Sequence, residues 1–357
     1  THTYAEPGSY HVTLTVTDES GIADSDGATV LIGDGNPPVT NRIVDLVTLD
    51  DVGGSAGADL AVLDVATTND DQLSATVHVH DGSTGNQLYE VDVSDNAWRS
   101  VAIDTAMANA GPRLAILQRG ASGETRVQFL DASDGSQTAT VTYFDNAWTA
   151  SRIFNVRDAG GLGVEGIGVL AVNNMAGQTA IEVRTAGNGA LVNQVIYFNN
   201  SWSPLYAIDL GEFNGNGYSE MSVLATNAAG KYAVETRDAL SGKQISRYFF
   251  LGPTNIMKGL AQSADVDGND RPEIIVLGNK DAANNTANTA QAKDVKTDAL
   301  ISKPGTFAPP FVGFALRSME DVDGNTSPEM VIGAFDDEGN ITRVQVRDVL
   351  NGTLTLN

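Results

Sequence analysis

The chain has 357 residues and no cysteine, which excludes a disulfide framework and thiolate chemistry. Its 45 acidic residues against 21 basic ones give a formal net charge of −24, which repels nucleic acid and anionic membrane and sets both aside as partners. No run approaches the roughly 18 apolar residues of a membrane span, no signal peptide is visible, and the length allows more than one domain.

The first 35 residues predict strands. Tyr10, Val12, Leu14 and Val16 alternate with His11, Thr13 and Thr15, the pattern of a half-buried strand. Pro7-Gly8 turns the chain before it and Asp18–Gly21 after it, and Ala28–Ile32 is the second strand. The run HTYAEPGSYHVTLTVTD, from His2 to Asp18, resembles the C-terminal half of a PKD domain. That resemblance implies an immunoglobulin-like β-sandwich on a surface or secreted microbial protein, hence an extracellular, secreted or cell-surface location. Two strands make no independent sandwich. The missing strands are therefore expected upstream in a longer chain, unless the hairpin docks on the next domain. Residues 36–40, with Asn36-Pro37-Pro38, read as a short stiff linker to a second domain at 41–357.

That second domain repeats. Asp51, Thr105, Asp158, Glu212, Asp265 and Asp321 fall in one frame, with spacings of 54, 53, 54, 53 and 56 residues. An apolar strand follows each anchor, as in Leu60–Leu63 and Ile274–Leu277. An alternating strand comes next and ends near an Asp and a Gly turn, as in TRVQFLDASDG from Thr125 and YAVETRDALSG from Tyr232. A fourth strand follows, and a first strand such as WRSVAID from Trp98 precedes the anchor. Four short strands in about 50 residues predict an all-β fold, a six-bladed β-propeller of four-stranded blades. The sixth blade ends inside its fourth strand.

Two stretches carry chemistry: ADVDGNDRPEIIVL at Ala264–Leu277 and EDVDGNTSPEMVI at Glu320–Ile332. Asp265, Asp267, Asn269 and Glu273 stand at loop positions 1, 3, 5 and 9, a spacing that turns several oxygens toward one hard cation such as Ca²⁺. Asp321, Asp323, Asn325 and Glu329 repeat it. A third copy, Glu212, Asn214, Asn216 and Glu220, is weaker because Asn replaces Asp.

These loops, each followed by an apolar strand, resemble the FG-GAP or VCBS-type repeat of integrin-α-like propellers. The resemblance implies a Ca²⁺ loop between the first and second strands of a blade. It adds the carbonyls of Arg271 and Ser327, at position 7, to the two ligand sets. The usual Asp at position 5 is Asn in all three copies. The first repeat keeps only Asp51 and Asp59, the second has Thr105 and Arg113, and the third has Asp158 with Gly160 and Leu162, so these three are expected to be metal-free. The competing reading of every loop is a set of Asx-turns capping their own backbone.

Trp98, Trp148 and Trp202 hold one position in successive repeats, and Ile256 and Phe311 fall near it in the fifth and sixth. They lie on the face opposite the metal loops. A rim of indoles could stack on sugars, but an aromatic recurring once per blade more often packs between blades, and packing is preferred. On the same face the stretch from Asn279 to Ala290 is an enlarged, Asn-rich loop that breaks the ring symmetry, with Asn284 and Asn285 at its centre. The candidate ligand-binding residues are therefore Trp98, Trp148, Trp202, Asn284 and Asn285.

His2, His11, His78 and His80 form no evident catalytic set. No G-x-S-x-G elbow, Walker loop, H-E-x-x-H or Gly-rich dinucleotide loop is present. The sequence therefore favours a non-catalytic, extracellular Ca²⁺-binding adhesion or ligand-binding module of a larger bacterial protein, with a glycan or protein ligand. One alternative is the propeller of a polysaccharide-degrading lyase or hydrolase. Another is a subunit that self-assembles through its N-terminal strands.

Overall fold

The computed structural model describes residues 8–17, 23–32, 40–54, 58–68, 71–95, 97–108, 111–161, 163–198, 200–280, 288–307, 311–319, 321, 324–336 and 342–356. Asp323, Asn284, Asn285 and Leu162 lie outside these residues, as do both proline-linker positions Pro37 and Pro38. Every regular element among the described residues is a strand.

Strands β1 (Gly8–Thr17) and β2 (Ala23–Ile32) form an antiparallel hairpin with Tyr10 opposite Val30. The second strand starts at Ala23 rather than Ala28, because pairing continues through Gly27 to Thr17 opposite Ala23.

Six antiparallel sheets follow, at 40–92, 98–143, 148–197, 202–250, 255–302 and 311–356, each with its four strands side by side in chain order. The chain is a six-bladed β-propeller of four-stranded blades, as the repeat period predicts. Each first strand carries a bulge at one position, at Val44, Val101, Ser151, Leu205, Lys258 and Phe314 in turn. A bulge sharpens the local twist and bends its strand.

Blades are joined by apolar stacking. Leu63, Leu117, Leu170, Leu224 and Leu277 occupy one rung in blades 1 to 5, and each is buried in a cluster shared with the following blade. In blade 6 that rung holds Gly333, and the Phe314 ring lies over it. Among the described residues no apolar cluster joins blade 6 to blade 1.

A second device hooks neighbours together. The buried Tyr143 and Tyr197 end their fourth strands and donate their hydroxyls to the Ile167 and Met221 carbonyls of the following blade, at 3.2 and 3.1 Å. Phe198 and Leu251 come next to such strands and take the left-handed backbone, with φ of 43° and 42°. That conformation is costly for a residue with a branched or bulky side chain. It is held because their N–H groups reach Glu235 Oε1 at 3.4 Å and Gln291 Oε1 at 2.9 Å in the next blade.

Candidate metal centre

In blade 5 the first strand, Asn255–Ser263, turns through residues 264–272 into the second, Glu273–Lys280. Glu273 opens that second strand, opposite Ser263 on one side and Asp294 on the other. Gly268 makes the sharp bend with φ of 78°, a conformation that a Cβ would strain. Asp265 organises the loop from within. Its Oδ1 accepts the Gly268 and Asn269 N–H groups at 2.8 and 3.1 Å, and its Oδ2 accepts that of Asp270 at 2.7 Å.

Asp265, Asp267 and Glu273 each bring a carboxylate oxygen to within 4.8 Å of the others. Glu273 is fully buried. Its Oε2 accepts the Val266 N–H at 3.1 Å, while its Oε1 has no hydrogen-bond partner among the described residues. An orphaned buried carboxylate oxygen is costly. Burial pushes the Glu273 carboxyl up to about 8, and Asp267, Asp265 and Asp294 add to the rise. The Asp267 carboxyl is raised too, first by burial and then by Asp294 and Asp265. Three like charges and one unsatisfied oxygen therefore converge on one point, and the cluster could hold a metal ion. Every donor is a hard oxygen, so the set fits a hard cation.

Asp294 completes the site and was not singled out by loop spacing. It ends the third strand, and its Oδ2 accepts the Asn269 side-chain amide at 2.9 Å. Burial opposes its charge, but hydrogen bonds from Thr297 and Asn269 outweigh that and keep its carboxyl below the usual range. An Asp at position 5 would face this carboxylate, which accounts for Asn there. The available signal was the Asp ending the third strand in several repeats, at Asp131, Asp238, Asp294 and Asp348. The Arg271 guanidinium stacks at 5.1 Å over Phe213, tying this loop to the one in blade 4.

Blade 6 repeats the frame. Asp321 accepts the Gly324, Asn325 and Thr326 N–H groups at 2.7, 3.2 and 2.8 Å. The Asn325 amide donates to Asp348 at 2.7 Å, and the buried Glu329 stands opposite Asp348. Ser327 is buried and donates its N–H to Asn325 Oδ1 at 2.7 Å.

Blade 4 solves the same problem without a cation. Glu220 is buried opposite Asp238, but the Asn214 side-chain amide donates to Glu220 Oε1 and, at 3.1 Å, to Asp238 Oδ2. The Asn216 amide also donates to Asp238. Glu212 caps the loop, taking the Asn214 and Gly215 N–H groups at 2.7 Å each. The weaker third metal site on Glu212, Asn214, Asn216 and Glu220 is thus corrected: amide donors fill the lobes that a cation would take. Glu220 still titrates at about 8, chiefly through burial.

In blade 1, Asp59 is saturated by backbone, with Val52, Gly53 and Gly82 N–H groups at 2.8, 3.0 and 3.1 Å. Blade 2 requires a change of frame. Its first strand runs Trp98–Ala108 and ends with Ala108 opposite Gly111, so Thr105 lies inside the strand opposite Leu114. The true position 1, seven residues past the bulge, is Ala108. At the Glu position stands Arg113, paired with Asp131. In blade 3, Asp158 Oδ1 accepts the Gly163 N–H at 2.7 Å, and Glu165 takes the Met107 N–H of blade 2 at 2.6 Å.

On the opposite face, Trp148 and Trp202 are buried, each at 8% exposure. Trp148 packs on Phe144 at 4.9 Å, and Trp202 on Phe198 at 5.1 Å under the Arg247 guanidinium at 5.0 Å. Trp98 is half-buried with Arg126 stacked on it at 4.2 Å. The geometry is that of packing, and the sugar-stacking use of Trp148 and Trp202 is withdrawn because their faces are covered. In blade 5 the equivalent position is Asn255, not Ile256, which sits one rung further on.

Comparison with known proteins agrees with this architecture. Residues 1–32 match the PKD domain family. No curated protein matches the chain. Among solved structures, it is similar to the Dos1 propeller at 13% identity and a TM-score of 0.53, over 96% of this chain and 72% of that one. It is equally similar, at 13% identity and 0.53, to BBS1N in complex with ARL6DN, over 89% of this chain and 85% of that one. Identities this low establish the fold alone. No helix among the described residues is long and apolar enough to cross a membrane.

Proposed function

We propose that the chain is a non-catalytic binding module whose propeller is pinned by Ca²⁺ in the loops of blades 5 and 6, and which presents a glycan- or protein-binding surface outside the cell. The carrying observation is Glu273, a buried carboxylate with one orphan oxygen aimed at Asp265 and Asp267. In blade 5 Asp265, Asp267 and Glu273, with the Asn269 and Arg271 carbonyls, would hold the ion. In blade 6 Asp321, Asp323, Asn325, Ser327 and Glu329 would do so. Oxygens on opposite sides of Ca²⁺ stand about 4.6–5.2 Å apart, and about 4.2 Å for Mg²⁺. The 4.8 Å span of the cluster suits the larger ion. The ion's role would be structural: it neutralises carboxylates that otherwise repel and holds the first hairpin of each blade. The PKD match supports an extracellular setting, where calcium is abundant enough to fill weak sites.

Thermal unfolding in EDTA and then with restored Ca²⁺ tests this, with Asp267→Ala plus Asp323→Ala as control. Free Ca²⁺ at a hundred times Kd would stabilise the fold by about 2.7 kcal/mol. The midpoint should rise in the native sequence and stay fixed in the double variant. A native midpoint indifferent to Ca²⁺ would leave these loops as plain Asx-turns.

A further inference from the structure

We propose that a depression between blades 2 and 3, on the face opposite the metal loops, binds an anionic sugar residue through Arg99 and Arg119. This rests on the reading of the chain as a binding module and names the ligand class. The depression measures about 540 Å³ and is lined by Ala97, Arg99, Arg119, Gly120, Ala121, Gly123 and Thr149.

Arg99 and Arg119 are direct cross-strand partners on the first two strands of blade 2. Such pairs hold their Cβ atoms about 5 Å apart, and like charges placed so destabilise a sheet. A chain with a net charge of −24 has few cations to place, yet two stand here side by side over one cavity. No other blade does this. The same rung holds Arg42/Val65, Thr149/Val172, Ser203/Thr226, Ile256/Asn279 and Val312/Phe335. The feature therefore breaks the repeat, as a ligand site does and a packing device does not.

The rest of the lining specifies shape. Ala97, Gly120, Ala121 and Gly123 leave a floor of backbone and methyl groups against which a flat ring can lie. The backbone there is satisfied internally, with the Ala121 N–H on the Ala97 carbonyl at 3.2 Å and the Gly123 N–H on the Gly120 carbonyl at 3.0 Å. Thr149 gives its hydroxyl proton to Asn174 at 2.8 Å. The two guanidinium groups are thus the donors that face a ligand, and guanidinium matches carboxylate or sulfate in bidentate geometry. The carboxylate on the same hairpin, Glu124, is engaged by the Ser122 hydroxyl.

Calorimetric titration of the full chain tests this, with a galacturonate trisaccharide, a sulfated trisaccharide, the neutral galactose trisaccharide and an oligoglutamate peptide. Uronate or sulfate should bind, and the arm that binds identifies the anion. The neutral sugar should not bind, and affinity should fall as salt is raised. Arg119→Gln and Arg99→Gln should each lower affinity at least tenfold with an unchanged thermal midpoint. The proposal is overturned if neither charged sugar binds, if the variants bind as the native chain does, or if only the peptide binds. The calcium response of the midpoint is read on the same samples. Failure of sugar binding with that response intact removes this proposal alone.

Discussion

Arg113 pairs with Asp131 at the rung where Glu220 faces Asp238, Glu273 faces Asp294 and Glu329 faces Asp348. One rung of one repeat thus meets the same electrostatic demand in three ways. Blade 2 supplies a guanidinium, blade 4 two side-chain amides, and blade 5 has neither. Removing one partner of a largely buried ion pair costs about 3–5 kcal/mol. Asp131 keeps 26% side-chain exposure, which lets water share its charge. Arg113→Ala should therefore cost less, about 1–3 kcal/mol. Urea unfolding would measure it, and the loss should be the same in EDTA and in Ca²⁺, since blade 2 has no loop to fill.

Asp267 and Asn214 occupy the same loop position in blades 5 and 4, and exchanging their chemistry should exchange their behaviour. Asp267→Asn supplies the amide that Asn214 gives Glu220, and so should satisfy Glu273 Oε1. In an Asp323→Ala background, the variant should unfold at a higher temperature in EDTA and gain nothing from Ca²⁺. Asn214→Asp should do the reverse. It removes the donor from Glu220 and sets a carboxylate beside it, costing about 1–3 kcal/mol without metal, and it should create a new calcium response. Differential scanning calorimetry with and without Ca²⁺ reads both. A calcium response that survives Asp267→Asn in that background would show that Glu273 is not the ion's anchor.

Much of this was legible in the sequence. The period of about 53 residues set the blades, and the Gly turns set the hairpin ends: third strands start at Thr125, Tyr232 and Thr342 in both readings. The loop in blade 2 was misplaced because spacing alone cannot reveal a deletion. The Trp98–Ala108 strand is longer by the residues that the loop lost, so the period was conserved while the frame moved. Asp294 was missed because it lies 21 residues beyond Glu273 and meets it only through strand pairing. Asn214 was read as a poor ligand because a sequence shows its carbonyl and its amide equally; the fold turns the amide inward.

Trp202 illustrates what a repeated aromatic does. It lies against Phe198 at 5.1 Å and Phe249 at 6.3 Å, beneath Arg247. Trp202→Ala should destabilise the chain by about 3–5 kcal/mol, the cost of emptying a packed aromatic site. Trp98, half-exposed at the same position, should cost less. Chemical denaturation gives both values. Binding of any sugar that the native chain binds should be unchanged in a folded Trp202 variant; a selective loss of binding would restore the indole as a ligand contact.

The channel-facing carboxylates give a pH dependence that can be separated from the metal loops. Asp104 accepts the Thr105 N–H at 2.7 Å and the Asn155 N–H of blade 3 at 3.2 Å. Burial nevertheless pushes its carboxyl up to about 7, with Asp45 adding to the rise and Arg317 opposing it. The folded state therefore holds this proton more tightly than the unfolded chain. Its contribution to stability is fully present below the unfolded value of 3.8 and is lost as pH rises through about 7. The difference corresponds to at most about 4 kcal/mol. Asp104→Asn removes the titration and keeps one acceptor for the two N–H groups. Relative to the native chain it should lose little at pH 4 and gain about 1–3 kcal/mol at pH 8, in saturating Ca²⁺ so that the loop carboxylates stay ionised. Urea midpoints across pH 4–8 decide this. Parallel profiles for native and variant would mean that Asp104 is ionised throughout and that channel water, rather than protonation, meets the cost of its burial.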